Sequence, residues 1–273
     1  METGLLERHP YDGCPLCNSP CFAICATADC SAHPLWRPQL SSTMTWCKCH
    51  DCGHIFTDGY FTEEAQQIIF SRTLDGQRFG ADFERQRQVS ARIVERIAAY
   101  APPPGHWFDV GFGNGSLLMT AQEWGYSVAG VEARKNDTGS DPASLGIEVE
   151  YGTLANLVDR DLGSGPLSPG SASIVSMADS LEHMPYPADG LAAAHRLLSG
   201  EGVLFLSMPN CESAAWEISS SKKLNPYWGE IEHYHNFGRT RLYALLEEMR
   251  FTPVHFAISE RYRLCMEVVA QKM

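Results

Sequence analysis

Three glycines at alternate positions, Gly111, Gly113 and Gly115, are well suited to hold a nucleotide-like ligand. A short apolar stretch, 107–110, predicts a buried strand before them, and the apolar spacing of 116–124 predicts a helix after them. Glycine lets the backbone turn tightly and approach a ligand with no Cβ in the way. The free N–H groups at the start of the helix can then face a polar group of that ligand. Serine follows Gly115 directly, where the dinucleotide fingerprint G-x-G-x-x-G needs glycine, and this argues against NAD.

The carboxylate of Glu132 stands at the end of a second predicted strand, 127–131, about twenty residues beyond the first glycine. A carboxylate in this position of an α/β unit can accept hydrogen bonds from both hydroxyl groups of a ribose. The glycine loop and Glu132 together therefore predict a site for a ligand that contains a ribose.

Two C-x-x-C pairs near the N-terminus predict a metal site, because each such turn presents two thiolates to one tetrahedral zinc ion. The predicted ligands are Cys14, Cys17, Cys49 and Cys52. Cys47 is a rival for Cys49, but Cys49 alone completes a C-x-x-C with Cys52. Four thiolates leave no open position on the ion, so the zinc is predicted to be structural.

Eight of the ten cysteines lie within the first 52 residues. The first ten residues carry acids where a secretion signal would be basic, so the clustering favours metal over disulfides. The net charge of −12, from 21 basic and 33 acidic residues, argues against nucleic acid as a partner, because phosphate binding needs a basic face. Apolar runs are far shorter than the ~20 residues of a membrane helix. We expect a cytoplasmic protein without a membrane partner.

The elements that must position the glycine loop alternate between strand and helix after residue 106. Further strands are predicted at 147–151, 173–178, 202–208, 251–258 and 263–270. Such alternation implies an α/β fold with a mostly parallel, doubly wound sheet, and the last two strands are close enough to pair antiparallel. Ligands of these sheets bind outside the carboxyl ends of the strands, so Thr153 and Leu154 are predicted neighbours of an adenine.

Residues 211–231 interrupt this alternation and are expected to be irregular. Three aromatic residues in that segment, Trp216, Tyr227 and Trp228, could line a substrate pocket. The following helix is predicted at 240–249.

The segment DSLEHMPYP, residues 179–187, carries a family resemblance together with the glycine loop. Asp-x-Gly-x-Gly-x-Gly from Asp109, followed by Glu132, resembles the class I S-adenosylmethionine (SAM) dependent methyltransferases. DSLEHMPYP resembles the D-x-LEH-x-x-x-P segment of the members that act on small molecules. The resemblance implies a Rossmann-like sheet with a C-terminal antiparallel hairpin, preceded here by a small zinc-ribbon module. The cofactor contacts that it implies are Asp109, Gly111, Phe112, Gly113, Asn114, Gly115, Glu132, Ala133, Thr153, Leu154, Ala178, Asp179 and Ser180.

The order of modules is similar to a bacterial group that includes the sugar C-methyltransferases. It places a zinc ribbon at 1–58, a helical connector or lid at 59–105, and the SAM-binding domain at 106–273. That group carries a Glu-His pair before a phenylalanine and a helix, matched here by Glu232 and His233. Its segment reads Tyr-His-Glu-His-Phe, from which this chain departs, and the departure leaves the substrate open.

The sulfonium of SAM is already a good methyl donor, so the protein must align an acceptor and remove its proton. We expect His233, oriented by Glu232, to be the base, because imidazole titrates near neutral pH. His183 is the second candidate, and His235 is the third.

Three functions are compatible with the sequence. The favoured one is methylation of a small molecule, a sugar, nucleotide-sugar or related metabolite, at carbon or oxygen. The second is methylation of RNA or protein, with the zinc module gripping the target. The third is SAM binding without catalysis.

Overall fold

The computed structural model describes residues 8–134, 141–154, 167–262 and 264–273, which group into two compact units. The first, here called the ribbon unit, contains the residues up to Arg72 together with Glu182–Pro187 and Pro209–Leu245. The second, the sheet unit, contains Thr73–Leu181, Ala188–Met208 and Leu246–Met273. The sequence predicted three continuous domains with boundaries at residues 58 and 105, and that division stays a prediction. The two compact units are each made of several separate chain segments.

The ribbon unit contains two small antiparallel sheets. Its strands are β1 (Arg8–Pro10), β2 (Phe22–Asp29), β3 (Thr43–Cys49), β4 (Ile55–Thr57), β5 (Gly59–Phe61) and β11 (His235–Asn236). β1 pairs with β5, and the other four follow the order β11-β4-β3-β2. β11 thus adds a strand from the second half of the chain to the sheet that carries Cys49.

The sheet unit is built on seven strands. They are β6 (His106–Val110), β7 (Ser127–Glu132), β8 (Glu148–Tyr151), β9 (Ala172–Ala178), β10 (Leu198–Pro209), β12 (Phe251–Ile258) and β13 (Cys265–Lys272). Their order is β12-β13-β10-β9-β6-β7-β8, with parallel pairing from β10 to β8 and an antiparallel β12–β13 hairpin. The predicted mostly parallel sheet with a C-terminal hairpin is confirmed.

The helices are α1 (Glu63–Phe70), α2 (Phe83–Ala98), α3 (Ser116–Glu123), α4 (Pro187–Leu197), α5 (Ala214–Ser221) and α6 (Arg239–Glu248). Thr62 caps α1, because its side chain accepts a hydrogen bond from the N–H of Ala65. The core of the sheet unit includes Ile97 of α2, Leu118 of α3 and Trp107 of β6, all of them fully buried. Among the described residues, no helix is long and apolar enough to cross a membrane.

The expectation of irregular structure for 211–231 is wrong for its first half. Ser213 accepts a hydrogen bond from the N–H of Trp216 and so caps α5, and a short 3₁₀ turn follows at Pro226–Gly229. The serines and lysines of this segment interrupt the apolar spacing by which a helix is recognised in a sequence. Ser213, a residue type that caps helices, was the signal that could have predicted this helix.

Candidate functional site

The glycine loop adopts the backbone conformation that the sequence predicts. Gly111 and Gly115 have φ of +75° and +73°, in the region that side chains other than glycine rarely adopt. A Cβ on Gly111 would lie 2.3 Å from Oγ of Ser180, and one on Gly115 would lie 2.2 Å from the ring of Phe79. These positions therefore require glycine for both conformation and space.

Asn114 ties the loop to the chain that precedes α2. Its Oδ1 accepts hydrogen bonds from both the N–H and the hydroxyl of Ser116, and its Nδ2 donates to the carbonyl of Ala81. Phe79 packs edge-on against Phe112. In this structure the side chain of Asn114 is thus engaged in holding the loop, and Phe79 is a buried packing residue.

Glu132 lies at the end of β7 and contacts the glycine loop directly. Its Oε2 accepts a hydrogen bond of 3.0 Å from the N–H of Gly113, and its Oε1 accepts one from the N–H of Arg134. Ala133 follows Glu132 directly in the chain, and its contact with the cofactor stays a prediction. The structure therefore brings Glu132 and the loop together, as a shared cofactor site requires.

Asp109 is buried at the end of β6 and belongs to a chain of hydrogen bonds. The indole N–H of Trp107 donates to Oγ of Ser176, and that hydroxyl donates to Oδ1 of Asp109 at 2.6 Å. Burial raises the pKa of Asp109 to about 6, and the Ser176 hydrogen bond acts in the opposite direction. Ser176 was missed by sequence reasoning because only the β6–β9 pairing brings it to Asp109.

The end of β9 supplies Ala178, Asp179 and Ser180. Oγ of Ser180 donates a hydrogen bond of 2.6 Å to the carbonyl of Val110, so the β9 end is fixed to the end of β6. Asp179 has φ of +57°, an uncommon conformation for this residue type that is found at functional sites.

Asp179 pairs with a residue that sequence reasoning missed. Its Oδ2 lies 3.3 Å from a guanidinium nitrogen of Arg261, which stands between β12 and β13. Burial raises the pKa of Asp179 to about 6, while Arg261 opposes that rise. Nothing local in the sequence connects residues so far apart.

The predicted cofactor residues thus gather at the carboxyl ends of β9, β6, β7 and β8, which are neighbours in the sheet. Leu154 is buried just after β8, and Thr153 precedes it. Ligands bind at this edge in sheets of this type. The arrangement can hold an adenosine derivative, with Glu132 as the acceptor for its ribose.

Glu182, His183 and His233 form a cluster within the ribbon unit. One side-chain ligand atom from each lies within 4.8 Å of those of the other two. Nδ1 of His183 lies 3.0 Å from the carbonyl oxygen of Glu232. A carbonyl only accepts, so Nδ1 of His183 carries the proton and a neutral ring has its lone pair on Nε2.

His233 is buried, and its Nδ1 has no hydrogen-bond partner within the part of the chain that the structure describes. Burial and, to a smaller extent, nearby His183 lower the pKa of His233 to about 3, and Glu230 opposes the shift. The ring stacks on Tyr227, with 5.7 Å between centroids. His233 is therefore neutral at ordinary pH.

Glu182 supplies the carboxylate oxygen that lies within 4.8 Å of both imidazoles, and Glu230 also interacts electrostatically with both. The backbone carbonyl of Glu232 contacts the cluster by accepting the hydrogen bond from Nδ1 of His183. That the side chain of Glu232 orients His233 stays a prediction. His235 lies in a separate buried pair, in which its Nδ1 is 3.0 Å from Nε2 of His54. Of the aromatic residues proposed for a pocket, Trp216 is buried and stacks on Tyr227.

The four predicted zinc ligands converge. Sγ of Cys14 lies 3.6 Å from that of Cys52, and Sγ of Cys17 lies 3.6 Å from that of Cys49. All four sulfur atoms lie within 4.8 Å of one another. Sulfurs around a tetrahedral zinc with Zn–S bonds of about 2.3 Å are about 3.8 Å apart, whereas a disulfide would need about 2 Å. The residues fit a structural zinc site.

Comparisons with known proteins show which family and fold the chain matches. The family model described as "Methyltransferase domain" matches residues 83–255, more than half of the chain. A ubiquinone biosynthesis O-methyltransferase of Nitrosococcus oceani is 28% identical over 206 residues, which cover 68% of this chain and 83% of that protein.

Two solved structures share the fold. One is the Burkholderia thailandensis 1,6-didemethyltoxoflavin-N1-methyltransferase with bound 1,6-didemethyltoxoflavin and S-adenosylhomocysteine, at 17% identity and a TM-score of 0.57 over 82% of this chain and 97% of that one. The other is a SAM-dependent methyltransferase from Archaeoglobus fulgidus, at 15% identity and a TM-score of 0.53 over 68% and 94%.

Proposed function

This chain belongs to the SAM-dependent methyltransferases, and we propose that its methyl acceptor is a small molecule, a sugar, nucleotide-sugar or related metabolite. The observation that carries the proposal is the cluster of buried Glu182 and His233 with partly buried His183, because two imidazoles and a carboxylate within 4.8 Å can take a proton from an acceptor. Two of the similar proteins are named for small-molecule chemistry, an O-methyltransferase of ubiquinone biosynthesis and a 1,6-didemethyltoxoflavin-N1-methyltransferase. The net charge of −12 disfavours a polyanionic acceptor.

SAM is held by the residues at the carboxyl ends of β9, β6, β7 and β8. In the structure the N–H groups of Gly111, Gly113 and Gly115 donate to the carbonyl of Val131, the carboxylate of Glu132 and the carbonyl of Phe112. Glu132 would accept hydrogen bonds from the ribose hydroxyls. Asp109 and Asp179 would supply negative charge to the positive amino group of SAM. When bound, SAM supplies an activated methyl group, and the chain has to supply alignment and a base.

His233 accepts the proton of the acceptor. The lowered pKa keeps its ring neutral but also makes it a weaker base than an ordinary imidazole, so the imidazolium that forms has to be stabilised by its surroundings. The carboxylates of Glu182 and Glu230 then stabilise the imidazolium, since opposite charges nearby favour the protonated form. His183, with its Nδ1 proton bound to the Glu232 carbonyl, presents Nε2 as a second proton acceptor.

Zinc occupies the site of Cys14, Cys17, Cys49 and Cys52 in this proposal. It supplies folding free energy and no chemistry to the reaction, because four thiolates close its coordination shell.

The test is methyl transfer from SAM labelled on its methyl group to a fractionated lysate of the host. We expect the label in the metabolite fraction, from which the acceptor can be isolated. Label in RNA or protein alone would overturn the small-molecule proposal.

A pair of variants then tests the base. His233→Asn is expected to lower kcat at least about a hundredfold with SAM binding intact, the size of a general-base contribution. His9→Asn, on an exposed histidine of the same unit, is the matched control and should keep normal turnover. Normal turnover by His233→Asn would contradict the assignment.

A further inference from the structure

We infer that the cysteine module, the part of the ribbon unit from Arg8 to Phe61 that carries the four zinc ligands, is a positioning scaffold for the histidine cluster. His54 and His235 are the positioning residues that connect the two. The inference rests on the proposed function in that it takes Glu182, His183 and His233 as the proton-handling groups. It assigns the module a task inside the enzyme, in place of docking to an RNA or protein target.

A ladder of backbone hydrogen bonds runs from the module to the cluster. The N–H of Thr57 in β4 donates to the carbonyl of Tyr234 at 2.9 Å, and the N–H of Tyr234 donates to the carbonyl of Glu182 at 2.9 Å. β4 also pairs with β11. Three chain segments that are far apart in the sequence are thereby held side by side, and the first of them begins three residues after Cys52.

Two buried imidazoles make a second connection, and their tautomers follow from their partners. Nε2 of His235 lies 2.9 Å from the carbonyl oxygen of Met184, so Nε2 donates. Because burial lowers the pKa of His235 to about 4, the ring is neutral and its Nδ1 accepts. Nε2 of His54 therefore donates to that Nδ1. The hydrogen bonds from His54 through His235 therefore end at the carbonyl of Met184, the residue next to His183.

The second cysteine knuckle fixes His54. The N–H of Cys49 donates to the carbonyl of His54, and the N–H of Gly53 donates to the carbonyl of Cys49. Gly53 has φ of +73°, which allows this tight turn. A metal bound to Cys49 and Cys52 holds this turn to the first knuckle, so the position of the His54 ring depends on the metal site.

Three further contacts reach the same segments from other parts of the module. The hydroxyl of Tyr11 donates to the carbonyl of Pro185 at 2.7 Å, and the indole N–H of Trp46 donates to the carbonyl of Trp228 at 2.8 Å. Nε2 of His33 lies 2.8 Å from Oε1 of Glu230, the carboxylate that opposes the pKa shift of His233. A module that served only to dock a partner would not need these partly buried, directional contacts to the segments that carry the histidine cluster.

The test uses conservative variants of the full chain. His54→Phe keeps an aromatic ring next to Phe56 but removes the donor to His235. His54→Gln retains an N–H donor near the position of Nε2. Tyr11→Phe removes only the hydrogen bond to Pro185. Ser19→Ala is the matched control, since it removes a hydrogen bond to Asp51 within the module.

We expect His54→Phe and Tyr11→Phe to lower kcat about tenfold or more while zinc content and SAM affinity stay at wild-type values, because small displacements of catalytic groups are costly. His54→Gln should recover much of the loss, and Ser19→Ala should match the wild type. In spectra of ¹⁵N-histidine-labelled protein, the imidazole signals of His183 and His233 should shift in His54→Phe and stay unchanged in Ser19→Ala.

Wild-type kcat and unchanged imidazole signals in both His54→Phe and Tyr11→Phe would overturn the inference. A kcat loss in Ser19→Ala equal to that in His54→Phe would also overturn it, since the effect would then be one of general module stability. The imidazole spectra need no acceptor, so they test the positioning even if the proposed acceptor class is wrong.

Discussion

The backbone N–H of Gly113 donates a hydrogen bond of 3.0 Å to Oε2 of Glu132. This contact joins the loop after β6 to the end of β7, and the N–H of Arg134 holds the other carboxylate oxygen. Two groups assigned to the same cofactor are therefore fixed relative to one another without any ligand. Such preorganisation reduces the entropic cost of binding.

Replacing Glu132 with alanine should weaken SAM binding at least about tenfold, because both the ribose acceptor and the contact to Gly113 are lost. Glu132→Gln keeps one amide oxygen as an acceptor and should lie between the alanine variant and the wild type. Isothermal titration with SAM measures the effect. Glu148→Ala, on an exposed side chain of the neighbouring β8, is the control, and equal losses in the two alanine variants would contradict the assignment.

Gly115→Ala should destabilise the fold more than an alanine placed at a glycine of similar φ elsewhere. The added Cβ would lie 2.2 Å from the Phe79 ring, in addition to the strain of φ at +73°. The expected loss in the free energy of unfolding is about 2 kcal/mol or more. Gly146→Ala has the same strain at φ of +71° with nothing within 4 Å, so it should cost only about 1 kcal/mol.

Urea unfolding of both glycine variants, alone and combined with Phe79→Ala, measures this difference. In the Phe79→Ala background the clash is relieved, so Gly115→Ala should then cost about as much as Gly146→Ala. Equal costs for the two glycine variants in the wild-type background would rule out the clash.

The sequence predicted the parts of the site that depend on local pattern. Strand, glycine loop and helix from 106 to 123 follow the prediction to within a residue or two, because chain conformation there is dictated by glycine spacing and apolar period. The four zinc ligands converge for a similar reason, since each C-x-x-C turn places its own two sulfurs.

What the sequence did not predict depends on long-range pairing. The addition of β11 to the sheet of the cysteine module joins residues about 180 positions apart, and a two-residue strand has no period of its own. Arg261 reaches Asp179 for the same kind of reason, through a turn between two strands. The position of Glu182 beside His183 and His233 was not predicted. The Glu232–His233 pair matched the family motif and so indicated Glu232 as the carboxylate that orients the base.

Arg261→Gln should make SAM binding sensitive to pH. In the wild type burial raises the pKa of Asp179 to about 6, and the guanidinium opposes the rise. Without that cation the pKa of Asp179 moves further above 6, so the carboxyl is more protonated at neutral pH and attracts the cofactor's amino group less. SAM affinity of the variant should therefore fall at pH 7 and recover as pH rises, measured by titration between pH 6 and 9.

Arg261→Lys keeps the positive charge and should retain most of the affinity at pH 7. If Arg261→Gln instead bound SAM with wild-type affinity at every pH, the ion pair would have no part in cofactor binding.

His233 should make the fold less stable in acid, with a sign that follows from its lowered pKa. The ordinary value is 6.5, and burial lowers the pKa of the folded state to about 3. Between these values the unfolded chain binds a proton that the folded chain does not. The free energy of unfolding therefore falls as pH drops below 6.5, by about 1.4 kcal/mol per pH unit from this residue, and is independent of its charge above 6.5.

The measurement is urea unfolding of the wild type and of His233→Asn between pH 4.5 and 7.5. Both proteins share every other titrating group, including the cysteine thiols, so the difference between their slopes isolates His233. The variant should take up about one proton fewer on unfolding in this range, while His9→Asn, on an exposed residue, should keep the wild-type slope. Equal slopes for the wild type and His233→Asn would show that folding leaves the proton binding of His233 unchanged, which would contradict the lowered pKa.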